Sequence, residues 1–347
     1  MEKFESISTT NKLLLIIVVP LVLYLLKILS FIFIPLCAAL LVGLMFLPFL
    51  RVMAKKNIPR WGAMVIVSVI IFLLFFVLFM VLRISIQEIL SVERTFWLQF
   101  EQNLNQILVP VMDFMAIEQI PEQTNFSVFI HSETIVETVQ KHLGKFMNYV
   151  NSSITMLLMT IFFLLLVLAG SVNVQKVLED TIFKKRIPSM RVFVTLEKSI
   201  VKFIVVKFAI SVLTGVSFGL TCWFFGVKFP VFWGLLAFGM NFIQMLGSII
   251  VTIALTFFAM GQLDVSTTLL LFTFTLIALQ LLWGSVLEPV FMGRTFSINT
   301  ITILVMLLLW GYLWNVMGMI LAVPITVVVK IILEHFPKTN ILAKIMS

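Results

Sequence analysis

The chain has 347 residues, 61% hydrophobic and 12% charged, against roughly 45–50% and 25% in soluble domains. A water-facing surface needs more charge than this, so a soluble globular fold is excluded and lipid is the expected solvent. The 24 Lys and Arg outweigh the 16 Asp and Glu by a net +8, an excess that fits the basic cytoplasmic loops of a membrane protein better than a nucleic-acid surface.

The first apolar run, about residues 13–29, contains Pro20 and leads directly into a second at about 31–50. No small-residue cleavage site lies between them, so the first is expected to be a retained helix rather than a signal peptide. Arg51, Lys55, Lys56 and Arg60 then crowd a loop that has no acidic residue, which assigns it to the cytoplasm. A third run covers about 62–82, and each of these three is long enough to cross ~30 Å of hydrocarbon.

Residues 83–153 carry Glu88, Glu93, Glu101, Asp113, Glu118, Glu122, Glu133 and Glu137 against Arg83, Arg94, Lys141 and Lys145. This acidic segment belongs outside. Its apolar residues Ile89, Phe96, Phe100, Leu104, Ile107 and Leu108 recur at helical spacing, with Pro110 and Pro121 bracketing a bend. Long amphipathic helices are expected, continuing out of the third span and leading into the fourth at about 154–174.

Residues 176–207 are basic again, with Lys184, Lys185, Arg186 and Arg191 against Glu179, Asp180 and Glu197. The chain is back in the cytoplasm. Val192, Leu196, Ile200, Ile204 and Phe208 share one helical face, and Lys198, Lys202 and Lys207 another, as an interfacial helix would have them. A fifth run follows at about 207–226, then shorter ones at about 230–246, 247–260, 266–284, 298–311 and 315–333.

Several of these are too short to cross upright, and Gly247, Gly311 and Gly318 fall where they would turn. Re-entrant half-helices are one solution, tolerated where protein or a water cavity covers the broken backbone. Paired short runs add an even number of crossings, so the tail with Lys338 and Lys344 should end in the cytoplasm, as the N-terminus does. The expected fold is an all-α polytopic integral membrane protein of about eight spanning helices with possible re-entrant half-helices. Its segments are 1–82 (three membrane helices), 83–153 (external), 154–207 (fourth span and interfacial helix) and 208–347 (C-terminal membrane region).

For catalysis the sequence offers little. His131, His142 and His335 lie outside the apolar runs, so none can activate Ser248, Ser285 or Ser297. No HExxH, GxSxG, GxxxxGK[ST] or GxGxxG pattern occurs, which argues against an ATP-driven pump, an intramembrane hydrolase and any cofactor. Cys37 and Cys222 sit inside apolar runs without a CxxC, so neither a disulfide nor a metal site is expected.

What remains are polar and backbone-breaking residues at membrane depth, which are costly there and so are functional candidates. In Glu288-Pro289-Val290-Phe291-Met292-Gly293-Arg294, Pro289 is expected to interrupt the helix and Gly293 to permit a tight turn. Glu288 and Arg294 would then be either a coupling site for a proton, cation or polar solute, or charges capping two helix ends in a loop. Asn241, Gln244 and Gly247 fall three apart on one face, where the amides could bind a polar solute or monovalent cation. Equally, they could bridge packed helices for ~1 kcal/mol or less. Trp-Gly recurs at Trp61-Gly62, Trp233-Gly234, Trp283-Gly284 and Trp310-Gly311, as interfacial anchors do. The step of eight from Trp233 to Asn241 is repeated from Trp310 to Gly318, as an internal duplication would leave it.

Trp233-Gly234-Leu235-Leu236-Ala237-Phe238 leading into Asn241-Phe242-Ile243 resembles a signature region of the autoinducer-2 exporter family. So do Leu287-Glu288-Pro289 through Met292-Gly293-Arg294, and Gly318-Met319-Ile320-Leu321-Ala322-Val323-Pro324 with Lys330 behind it. The order of segments is similar from end to end. The resemblance implies a secondary transporter of the bacterial inner membrane, exporting a small polar molecule such as autoinducer-2 or exchanging sodium for protons; the residues themselves leave open a channel-like or scaffolding membrane oligomer without coupled transport. It also implies a homo-oligomer. Glu288, Pro289, Gly293, Arg294, Gly318 and Pro324 match the family pattern. Gln244 departs from it, standing where members commonly have Pro after an aromatic-Ile pair, so a break there would rest on Gly247.

Overall fold

A computed structural model describes residues 2–92, 96, 98–100, 102–103, 106, 132–169, 189–244, 246–263, 267–293, 298–335 and 346. Among them the backbone is helical, with no strand. That is the arrangement open to a chain in hydrocarbon, because a helix satisfies its N–H and C=O groups within one segment. The helices are α1 (Glu2–Ile28), α2 (Ser30–Lys55), α3 (Arg60–Leu90), α4 (Ser132–Leu168), α5 (Ser189–Phe225), α6 (Pro230–Met240), α7 (Leu246–Met260), α8 (Thr267–Met292) and α9 (Thr300–His335).

By length and composition, four stretches among the described residues can cross a bilayer: Trp61–Leu90, Glu197–Phe225, Thr267–Met292 and Thr300–Glu334. Ile16–Ile28 and Ser30–Phe46 meet at 90° and would count as a fifth if they form one broken span. Ser152–Leu168, Pro230–Met240 and Leu246–Met260 are shorter apolar helices. The chain is therefore a polytopic, all-α membrane protein. The outward faces are apolar: Val65, Leu73 and Val77 of α3, Leu270 and Phe274 of α8, and Ile301 and Leu308 of α9 are exposed, which suits lipid and not water.

Several helices outrun the apolar stretches that predict them. α3 extends past the end of the third run and α4 begins well before the fourth, so helix continues into the acidic segment at both ends; residues 107–131, where a bend is expected between Pro110 and Pro121, lie outside the described residues. α5 joins the basic stretch and the fifth run in one helix of 37 residues. The runs at about 298–311 and 315–333 are one element, α9, with its non-helical dihedrals at Trp314 and Asn315. The break thus falls between Gly311 and Gly318 and not at either.

The largest correction concerns Pro289, which does not interrupt the helix. α8 runs through it, because residues Leu281–Leu287 are wound as a π-helix immediately before Glu288–Met292. Proline lacks an N–H and its ring crowds the carbonyl of the preceding turn. A π-turn shifts the bonding to i→i+5 and widens the helix at that place, and the Glu288 N–H accordingly donates to the Trp283 carbonyl. The helix ends four residues later at Gly293, whose φ of +62° is open to glycine and strained for other residues.

The chain divides into two compact units. The first comprises Met1–Ser68, Thr155–Val201 and Phe296–Ser347. In it α1, α2 and α9 pack mutually, and Gly43 of α2 approaches Leu164 and Val167 of α4 at ordinary contact distance. The kink in α9 turns Trp314 inward, where its indole N–H donates to the Leu26 carbonyl at 2.8 Å. Leu26 belongs to the last turn of α1, whose carbonyls run out of helical partners at the 90° bend. Near the C-terminal end of α2, Arg51 Nη2 lies 2.7 Å from the buried Glu197 Oε2.

The second unit comprises Val69–Ile154 and Lys202–Thr295. Phe96 and Phe100, predicted on the apolar face of an external helix, are buried in it against Phe229 and Phe258, with ring centroids 5.6–6.5 Å apart. The ammonium of Lys228 sits 4.2 Å over the Phe96 ring. α5 and α6 cross closely at glycines: a Cβ on Gly215 would lie 2.7 Å from the Gly234 carbonyl oxygen and 2.8 Å from Phe238 Cβ. Small residues let backbones approach so closely where lipid supplies no hydrophobic drive between helices. α7 packs on both α6 and α8, which brings the α6–α7 junction beside the π-helical stretch.

Candidate functional site

α5 carries a buried polar stripe. Lys207, Ser211, Thr214 and Thr221 are spaced by four, three and seven residues, which sets them on one helical face. Thr214 and Thr221 spend their hydroxyls on their own helix, donating to the carbonyls of Ile210 and Ser217. Lys207 and Ser211 instead reach other elements.

Facing them is the junction between α6 and α7. Asn241 ends α6 with its N–H on the Ala237 carbonyl, and the Ile243 N–H returns to the Met240 carbonyl at 2.9 Å. α7 restarts at Leu246, with the Gly247 N–H on the Ile243 carbonyl. A side chain at Gly247 would overlap the Met240 carbonyl, so glycine is what lets the two half-helices close up. The break expected here exists without the family's proline. Gln244 stands in the junction with its amide turned toward α5.

Three elements meet at one ammonium. Lys207 Nζ donates to Glu288 Oε1 at 2.8 Å, to Glu288 Oε2 at 3.0 Å and to Gln244 Oε1 at 3.1 Å. Lys207 is 2% exposed and Glu288 3%, so the pair is removed from solvent on both sides. Asn241 Nδ2 donates to Ser211 Oγ at 3.0 Å, one turn along the same face. Each isolated charge would cost several kcal/mol in such a place, whereas paired and hydrogen-bonded they tolerate it. Chemically this is a carboxylate paired with an ammonium, beside the side-chain amides of Gln244 and Asn241.

Of the sequence candidates, Glu288, Gln244 and Asn241 are thus brought together through α5. Arg294 lies outside the described residues. Glu288 is not a loop residue capping a helix end; it lies buried within α8 and pairs with Lys207. Gly247 closes the junction, Pro289 lies within α8, and Gly293 ends it with its Cβ position 3.4 Å from Lys202 Nζ. Gly318 and Pro324 belong to the first unit, in α9, where a side chain at Gly318 would overlap the Trp310 carbonyl. Lys330, also in α9, is buried and lies 3.6 Å from Glu334. The eight-residue echo is not matched in the backbone: Trp233 to Met240 is unbroken helix, whereas the break at Trp314 and Asn315 falls between Trp310 and Gly318.

Lys207 itself was missed, having been placed on the polar face of an interfacial helix. The signal was its register with Ser211, Thr214 and Thr221 inside an apolar run. Two further contacts join the same elements. Gln280 Nε2 donates to Ser248 Oγ, and Trp283 Nε1 donates to Ser217 Oγ at 3.1 Å.

The profile described as "AI-2E family transporter" matches residues 13–338. The chain is 27% identical to "AI-2 transport protein TqsA" of Escherichia coli over 330 residues, 91% of this chain and 89% of the relative. It is 30% identical to a "Putative transport protein" of Borreliella burgdorferi over 181 residues, 51% of this chain and only 50% of that relative's own length. A protein of the same description from Haemophilus influenzae is 25% identical over 327 residues, 90% of this chain and 89% of the relative. With the profile covering nearly the whole chain and its relatives described as transport proteins, this multi-pass helical protein belongs to the AI-2E transporter family.

Proposed function

We propose that the protein is a secondary transporter of the bacterial inner membrane that exports a small polar molecule, with Lys207, Glu288 and Gln244 as its coupling and solute-binding centre. The observation that carries this reading is the buried Lys207–Glu288 pair at the α6–α7 break. An ion pair at membrane depth is expensive to keep for packing alone, and broken helices line solute sites in secondary transporters. Autoinducer-2 is the first solute to test, because a relative aligned over 91% of the chain is described as an AI-2 transport protein. Glu288 takes up and releases a proton or cation, and Lys207 is the counter-charge that each exchange must displace.

Both termini are assigned to the cytoplasm. What supports this is the Arg51–Glu197 contact of 2.7 Å, which joins two stretches that charge asymmetry assigns independently to the same side. The test is flux of autoinducer-2 in vesicles reconstituted with the full chain. Glu288→Gln and Lys207→Met should each lower it at least tenfold and alter its pH dependence. Wild-type flux in both variants would overturn the assignment of this centre.

A further inference from the structure

A second polar contact lies on α8, eight residues before Glu288. Gln280 is the residue from which the π-helical stretch starts, and its amide is tied to Ser248 in the first turn of α7. The other end of that amide, Oε1, is buried and has no hydrogen-bond partner among the described residues. An unmatched buried amide end is disfavoured strongly enough that most such groups have a partner. Gly284 lies one turn on, and a Cβ there would come within 3.2 Å of Gln280 Nε2, so the missing side chain is what leaves room for the amide along the helix. π-turns of this kind occur frequently at functional sites.

The chemistry of a matching ligand follows from the groups present. Gln280, Ser248, Ser217 and the indole of Trp283 are neutral, and the buried charges among the described residues of this unit, Lys207 and Glu288, are spent on each other. A hydroxyl both donates and accepts, and so completes either end of an amide. We propose that the Gln280–Ser248 pair is a specificity-determining position of the transporter, accepting a hydroxyl of a neutral, hydroxyl-bearing solute and rejecting analogues that lack it. This rests on the transport reading above and adds to it the class of solute and the residue that selects it. Sites built to hydrogen-bond a substrate hydroxyl discriminate because the analogue leaves their buried polar groups unpaired.

The experiment uses vesicles reconstituted with the full chain and measures entry of radiolabelled ribose and 2-deoxyribose, with acetate and tetramethylammonium as ionic probes. Wild type should carry ribose about tenfold faster than 2-deoxyribose and the ions no faster than empty vesicles. Gln280→Leu should bring the ratio close to one by loss of ribose flux. Gly284→Ala, which keeps the amide and crowds it, should lower the ratio in a fully folded protein. An unchanged ratio in both variants, with flux still abolished by Lys207→Met, overturns the Gln280 assignment and leaves the transport reading standing. Protein-dependent flux of the ions with none of either sugar also overturns it. Sugar flux indifferent to Lys207→Met and Glu288→Gln, with a ratio that collapses in Gln280→Leu, supports Gln280 and overturns the coupling centre instead.

Discussion

Lys207 and Glu288, 81 residues apart in the chain, form a buried ion pair with Nζ–O distances of 2.8 and 3.0 Å. Removing one partner leaves the other charge buried without compensation, at a cost of about 3–5 kcal/mol. Lys207→Met and Glu288→Leu should therefore each destabilise the protein in detergent by that order. Replacing a buried pair entirely by apolar groups is often neutral, so the double variant should recover most of the loss. Denaturation midpoints of the four proteins give the cycle. If the two losses simply add, the pair does not exist in the folded protein.

The α5–α6 crossing depends on the absence of a side chain at Gly215, where a Cβ would meet backbone at 2.7 Å from the Gly234 carbonyl oxygen. Backbone cannot swing aside as a flexible side chain would. Gly215→Val should cost about 1–3 kcal/mol as overpacking and should loosen the α6–α7 junction that presents Gln244 to Lys207. Gly144 offers the control, because nothing lies within 4 Å of its Cβ position; Gly144→Ala should be neutral or stabilising. Equal thermal stability of the Gly215 and Gly144 variants would refute the close crossing.

Some of this was legible in the sequence and some was not, for physical reasons. Apolar runs mark membrane helices because bilayer thickness sets a length that composition must meet, and α2 and α3 contain their predicted runs while α5 contains its own up to Phe225. That a break interrupts this apolar region was legible through Gly247, even with Gln244 in place of proline, but helix already stops at Met240 and Gly247 lies inside the next helix, so the turn falls earlier than the glycine. Phe96 and Phe100 were legible as an apolar face, but that the face packs on Phe229 and Phe258 is a tertiary fact. The pairing of Lys207 with Glu288 is tertiary in the same way: charge alone assigns a lysine beside a membrane run to the headgroups. Pro289 misled because the local rule against proline in a helix is sound, and only a change of helical winding upstream evades it.

Trp314 fixes the meeting of two bends within the first unit, since its indole donates to the Leu26 carbonyl at the end of α1. Trp314→Phe keeps the ring packing on Trp310, whose centroid is 4.8 Å away, and removes the hydrogen bond alone. The expected loss is about 1 kcal/mol, read as a lower midpoint of unfolding without loss of helical circular dichroism. Leu26 has no competing donor created by the change. No loss of stability would mean that packing alone holds the bend.

The π-helical stretch Leu281–Leu287 sets two magnitudes against each other. Alanine is favoured over proline in a helix interior by about 3 kcal/mol, so Pro289→Ala gives α8 a reason to rewind as ordinary α-helix. Rewinding alters by one residue the register between the start of α8 and Glu288, a rotation of about 100° that would carry the carboxylate away from Lys207. Losing the pair costs about 3–5 kcal/mol, which exceeds the gain. The ion pair should therefore hold the π-turn in place, and Pro289→Ala alone should change stability by less than about 1 kcal/mol, with flux within about twofold of wild type. In a Lys207→Met, Glu288→Leu background nothing opposes rewinding, and the same substitution should stabilise by an amount approaching ~3 kcal/mol. Midpoints for Pro289→Ala in the two backgrounds decide the matter. Equal gains in both would show that the winding of α8 is set by its own sequence and not by the charge it carries to α5.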